Sequence, residues 1–151
     1  MEHPGTKNIG FITCSDLSRH FPSLKNGLYT HDDQIAVDAL QANSFHVEPV
    51  VWGTPLKTVL EKRFDLLVIR SPWDYMETPE KIEGFMGWLR EIERSGIRLE
   101  NPLSLVLWNL DKHYLEHLKK EGVDVVPTTY LHPGEKVDFV SWFEKHGEMV
   151  I

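Results

Sequence analysis

The stretch Phe64-Asp-Leu-Leu-Val-Ile69 constrains the fold more than any other segment. A strand with one wet face alternates apolar and polar residues. This one is almost continuously apolar, so it reads as a parallel strand covered on both faces. Parallel strands need long crossovers, usually helical. The rest of the chain supplies that alternation. Ile9 to Thr13 reads as a first strand, followed by a long loop from Cys14. Thr30 to Asn43 reads as a helix, with Thr30 as cap, Asp33 at the capping-box position and Ile35, Ala36, Ala39 and Leu40 on one inward face. Phe45 to Trp52 is a strand in which Pro49 marks an edge or bulge.

After the Phe64–Arg70 strand, Ser71-Pro-Trp-Asp-Tyr75 breaks the pattern. Thr78-Pro79-Glu80 then combines a capping hydroxyl, a proline at the first helical position and an acid in the first turn. Ile82, Phe85, Met86, Leu89 and Ile92 form an amphipathic stripe behind it, stopped by Gly96. Ile97 to Glu100 is a short strand ended by Asn101-Pro102, and a short helix covers Leu103 to Leu107. A further helix covers Asp111 to Lys120 with Tyr114, Leu115 and Leu118 inward. Val123 to Val126 reads as a strand, Val137 to His146 as a helix and Glu148 to Ile151 as the start of another strand. The predicted fold is α/β, a mainly parallel sheet with helices on both faces. The composition changes near Pro127. The run Met149-Val150-Ile151 ends the chain on apolar residues, the mark of a fragment or of the ordered part of a longer protein.

Composition narrows the function. Asp plus Glu is 23 against 16 Lys plus Arg, a net charge of −7. That excess acid argues against a phosphate-backbone binder. Cys14 is the single cysteine, so no intrachain disulfide forms and a reducing compartment is expected. No apolar leader follows the N-terminus, and no apolar run approaches the ~18 residues of a membrane span. A cytoplasmic protein is the expectation. Gly-x-Gly-x-x-Gly, the P-loop pattern, Gly-x-Ser-x-Gly and Cys-x-x-Cys are all absent.

The chemistry-bearing residues cluster after strands. Arg70-Ser71-Pro72-Trp73-Asp74-Tyr75 places an arginine and an aspartate around a rigid turn at the carboxyl edge of the sheet. Arg70 can fork onto a carboxylate or phosphate, and Asp74 can hold an amine or pair with Arg70. Lys112, opening a helix with Asp111, opposes the helix dipole and so suits an anion. Cys14 reads as a small buried thiol rather than a nucleophile. His113 and His117 have metal-ligand spacing, but Tyr114 stands where the zinc-protease pattern needs a glutamate, and a solvated helix face is the simpler reading. The five tryptophans read as core rather than as base-stacking platforms.

From Phe64 to Leu131 the chain resembles the start of an ATP-grasp ligase of the glutathione-synthetase-like branch. The residues that carry the resemblance are Asn101-Pro102, Asn109-Leu-Asp111-Lys112, Leu115, Leu118, Gly122-Val123 and Pro127-Thr128, with Arg70-Ser-Pro-Trp-Asp-Tyr75 similar to a loop of that branch. The resemblance implies a pre-ATP-grasp α/β domain over residues 1–126 and the beginning of a nucleotide-binding domain over 127–151. It implies that Lys112 reaches the ATP phosphates. It also implies that Asp16, Arg70, Ser71 and Asp74 face a small carboxylate or amine substrate. ATP and Mg2+ are the implied cofactors, with no magnesium ligand in this chain. Complete members form an acyl phosphate that an amine attacks. A homodimer is the partner expectation, and neither nucleic acid nor a membrane is. The alternative is a flavodoxin-like regulatory or small-ligand-binding module, with Asp16 and Asp74 as acids at the sheet edge.

Overall fold

The computed structural model describes residues 6–20, 27–132 and 134–147. The chain divides into two units, Met1–Lys112 and His113–Ile151. The first holds strands β1 (Asn8–Thr13), β2 (His46–Val51), β3 (Leu66–Ser71) and β4 (Leu99–Glu100) in one parallel sheet of order β2-β1-β3-β4. Its helices are α1 (His31–Ala42), α2 (Leu56–Glu61), α3 (Pro79–Arg94) and α4 (Leu103–Leu110). The fold is therefore α/β, as the continuous apolar run of β3 requires.

Strand alternation sorts the core onto two faces. Ile9 and Phe11 of β1 join Val47 of β2 and Val37 of α1, with Leu66 and Val68 of β3 packed against them. Ile12 and Leu67 point the other way, into Val59 of α2, Leu103 of α4 and Phe85, Met86, Leu89 and Ile92 of α3. Burying each such side chain contributes roughly 1.5–3 kcal/mol, so the five buried residues of α3 fix that helix far more firmly than its caps do. Its start follows the sequence rule: Thr78 Oγ1 accepts from the Lys81 amide at 3.3 Å, with Pro79 in the first turn. Pro49 sits on β2, an edge strand, opposite Phe11.

Several expectations need correction. On α1 the buried residues are Asp33 and Val37. Ile35 is 68% exposed and Ala39 is exposed as well, because Asp33 is tied to β3 and turns the face. Helix α2, behind Pro55, has no counterpart in the sequence reading. Asp111 and Lys112 do not open a helix: α4 runs on to Leu110, Asp111 is extended (φ −97°, ψ 123°) and ends it, and α5 begins at Tyr114. Val123 to Val126 forms no strand. Val126 is 73% exposed, and among the described residues of its unit there is no strand for it to pair with. The strand expected at Glu148 to Ile151 lies outside the described residues.

The second unit holds α5 (Tyr114–Lys120) and α6 (Phe139–His146). Asp138 caps α6 by accepting from the Val140 and Ser141 amides at 3.1 and 3.3 Å. Among the described residues no helix is long and apolar enough to cross a membrane.

Candidate functional site

In a parallel sheet, ligands gather outside the carboxyl ends of the strands where the strand order reverses. Here that point lies between β1 and β3. Thr13 and Ser71 end these strands side by side. The Cys14 amide donates to the Ser71 carbonyl at 3.2 Å, and the Thr13 hydroxyl lies 3.5 Å from the same oxygen.

The strand pairing slips at this spot. Ile12 faces Ile69, but the next residue, Thr13, faces Ser71, so Arg70 is the extra residue of a bulge. Without the bulge, consecutive side chains would leave the sheet on opposite faces; a bulge re-aims them. Arg70 and Ser71 both reach Asp33, in the first turn of α1. Arg70 Nε donates to Asp33 Oδ1 at 2.7 Å, and Ser71 Oγ donates to Asp33 Oδ2 at 2.5 Å. Asp33 and Ser71 are buried, while the Arg70 side chain keeps 39% of its surface in solvent. The Arg70 guanidinium carbon lies 5.8 Å from the centre of the Phe11 ring, within cation–π range. The Thr30 hydroxyl caps α1 by accepting from the Asp33 amide at 3.1 Å. The reciprocal half of the capping box is not made, because the Asp33 carboxylate is turned to β3.

The loop after β3 is a short 3-10 turn over Trp73–Met76. Asp74 accepts from Trp52 Nε1 at 2.5 Å and lies 3.9 Å from Lys81 Nζ, so it pairs with these groups rather than with Arg70. The loop after β1 is tied to it. Arg19 pairs with Glu77 at 3.3 Å, and the Cys14 amide donates to the Ser71 carbonyl at 3.2 Å. Burial, then the charge of Asp74, pushes the Cys14 thiol up. A thiol held neutral is a poor nucleophile, and Cys14 is a buried fastener between the two loops. Asp16 is exposed and caps the turn at Leu17–Arg19, accepting from the Ser18 amide at 3.1 Å and from the Ser18 hydroxyl, which holds its carboxyl below the usual range.

Beyond the Asp74 turn lies a cleft of about 540 Å³. Trp73, Met76, Leu105 and Trp108 line it with apolar surface, and Arg70 and Asn101 bring polar groups to it. Asn101 takes a left-handed backbone (φ 59°), and its amide donates to the Ile69 carbonyl at 3.2 Å, which fastens the end of β4 to β3.

Arg70 and Ser71 are the last two residues of β3, Asp74 is on the turn that follows it, and Asp16 is on the loop after β1. Lys112 is an exposed turn residue between α4 and α5. The ring of His113 stacks on Tyr130 with centroids 4.1 Å apart, and no group of three His, Cys, Asp or Glu residues suited to a metal occurs among the described residues. Asp33 is the residue that sequence reasoning missed. A signal was present: a capping box favours Glu or Gln, and Asp is one methylene too short to reach back well.

The titrating groups set a pH window. Lys62 beside Glu48, Lys7 beside Asp65 and Lys81 beside Glu77 hold those carboxyls below their ordinary values of 4.5, 3.8 and 4.5. Their stabilisation is present above the ordinary carboxyl range and is lost as pH falls through the lowered values. Burial raises Cys14 above 9.0, Tyr75 above 10.0 and Tyr29, whose buried hydroxyl has no partner among the described residues, to about 12. These groups stabilise fully below their ordinary values and less as pH rises through the raised ones. The urea midpoint should be flat between about pH 5 and 9 and fall on both sides. A steady decline across that interval would contradict the assignment.

Fold and site together define a parallel α/β domain with a switch-point site between its first and third strands. The family of the N-terminal domain of the D-cycloserine synthetase DcsG matches residues 9–101, which run from β1 to the end of β4, and the chain belongs to that family. It is similar to the cycloserine biosynthesis protein DcsG of Streptomyces lavendulae, 40% identical over 77 residues. That alignment takes in 51% of this chain and 24% of the relative, so the chain spans about a quarter of the relative's length. No solved structure matches.

Proposed function

We propose that this domain is the N-terminal part of an ATP-dependent carboxylate–amine ligase that works through an acyl phosphate, and that it supplies the substrate side of the site. One observation carries the reading: the bulge at Arg70, which sets a half-exposed guanidinium at the switch point of a domain whose family is named for a synthetase. A guanidinium there suits a substrate carboxylate, Asp74 on the turn after β3 suits an amine that takes the place of its 3.9 Å contact to Lys81, and the adjoining apolar cleft suits the body of a small substrate. Asp16 is an exposed acid on the loop after β1, and Ser71 ends β3 beside Arg70 with its hydroxyl on Asp33. ATP is the proposed co-substrate. Lys112 is assigned to its phosphates by resemblance alone, since the turn it occupies and the seven-residue α5 behind it form no anion cradle. Among the described residues no group of three His, Cys, Asp or Glu side chains is placed to hold magnesium.

Arg70→Ala, in the protein that carries this domain, should raise the KM for the carboxylate substrate more than the KM for ATP. Equal changes would count against a substrate role. Lys112→Ala should weaken nucleotide binding by ~1.5–3 kcal/mol, the value of a hydrogen bond to a charged group. Unchanged affinity would remove Lys112 from the site. A second reading keeps support from one observation. The order β2-β1-β3-β4 is also that of the opening strands of a flavodoxin-like sheet, so a non-catalytic ligand-binding module uses the same crevice. Binding of the carboxylate without turnover would favour it.

A further inference from the structure

Arg70 carries five N–H donors, and only the one on Nε is used. Among the described residues, neither terminal amino group has a hydrogen-bond or ion-pair partner, although the side chain is held on three sides. Asp33 takes the Nε–H at 2.7 Å, the Phe11 ring lies 5.8 Å below the guanidinium carbon, and the bulge fixes the backbone. Asp33 is in turn immobile. It is 2% exposed, its second oxygen accepts from Ser71, and it sits in the first turn of α1, where the helix dipole favours a carboxylate. A buried aspartate that serves only as a cap would not need both oxygens on β3.

We infer that Asp33 is a positioning residue: by taking the Arg70 Nε–H it leaves the two terminal amino groups as a preset fork for a single carboxylate of the ligand. This rests on the substrate role proposed for Arg70. Two effects of Asp33 oppose each other. Its negative charge offsets that of Arg70 and weakens anion binding, whereas fixing the long side chain in advance removes the ordering cost a free arginine meets on binding. The first effect is reduced because a carboxylate bound at the terminal amino groups lies on the solvent side of Arg70, which keeps 39% of its side-chain surface in water, away from the buried Asp33. The second effect should therefore win, and the sign of the change on removing the charge decides between them.

The probe is D-serine, added to the 15N-labelled chain and followed at the Arg70 Nε–H resonance. In the unaltered chain that proton should exchange with water at least about tenfold more slowly than the Nε–H of Arg98, which meets Glu100 through Nη2. Asp33→Ala, which removes the acceptor as well as the charge, should erase the difference and weaken D-serine binding roughly threefold to tenfold. Asp33→Asn, whose amide oxygen can still accept the Nε–H, should keep the slow exchange and decides the matter if Asp33→Ala does not fold, as should Ser71→Ala, which leaves the Asp33–Arg70 contact. Equal exchange of Arg70 and Arg98 in the unaltered chain would overturn the positioning role, as would fast exchange in both Asp33→Asn and Ser71→Ala, or unchanged or tighter binding in Asp33→Ala. If exchange behaves as expected while D-serine moves no Arg70 resonance, the positioning of Arg70 stands and the proposed carboxylate site fails.

Discussion

Phe85→Ala should destabilise the first unit by roughly 3–5 kcal/mol, the usual cost of emptying a buried aromatic position. Phe85 is 1% exposed and is the largest fully buried side chain of the core. Its ring meets Tyr75 at 4.5 Å, Trp52 at 5.6 Å and Trp88 at 6.4 Å between centroids. Such pairs add about 0.5–1.5 kcal/mol each beyond area burial. Two of these neighbours belong to the site: Tyr75 is on the turn after β3, and Trp52 donates to Asp74. The loss should therefore appear twice, as a lower urea midpoint and as a looser turn over Trp73–Met76, read by faster amide exchange there. A loss of unfolding free energy below about 1 kcal/mol would mean that the aromatic cluster does not anchor the turn.

Gly10→Ala should cost about as much, and for the opposite reason. Gly10 lies in the middle of β1, and a Cβ there would stand 2.4 Å from Leu67 Cδ2 and 2.8 Å from Val50 Cγ2. Leu67 is fully buried and Val50 nearly so, which leaves neither side chain room to retreat. Overpacking of this kind costs about 1–3 kcal/mol and occasionally more; the pair of close approaches puts this position at about 3 kcal/mol. The measurement is the shift in urea midpoint at unchanged slope. A neutral or stabilising Gly10→Ala would show that β1 and β3 can part, and with them the two strand ends that frame the site.

The elements that were legible in the sequence are those whose signal is local. The β3 run needs cover on both faces, and Thr78-Pro79 followed by the Phe85–Ile92 stripe can hardly be anything but an amphipathic helix start. What was hidden depends on distant partners. Asp33 follows a capping residue at the right spacing, so local rules assign it to the cap, yet its carboxylate is bound by residues 37 and 38 positions away. The bulge at Arg70 leaves no mark in composition, because it is a property of two strands in register. Val123 to Val126 has strand-like residues but no neighbour to pair with in its unit, and β-propensity alone cannot supply one. Asp111 and Lys112 read as the opening of a helix, whereas the apolar residues of α4, Leu103, Leu105, Val106, Leu107, Trp108 and Leu110, carry the preceding helix up to Asp111. The position of Arg70 to Asp74 at the carboxyl end of a covered strand was legible, because the apolar run of β3 stops there. Its internal pairing, Asp74 to Trp52 and Arg70 to Asp33, was not.

The central claim is that a small carboxylate is received where β1 and β3 end. An amide-resolved titration of the labelled chain tests it most directly, with D-serine compared against its methyl ester, which keeps the amine and lacks the carboxylate charge. Shifts at Thr13 to Asp16 and Arg70 to Asp74 should saturate with D-serine and be largely absent with the ester. Shifts of equal size with both, or shifts confined to His113–His146, would contradict it.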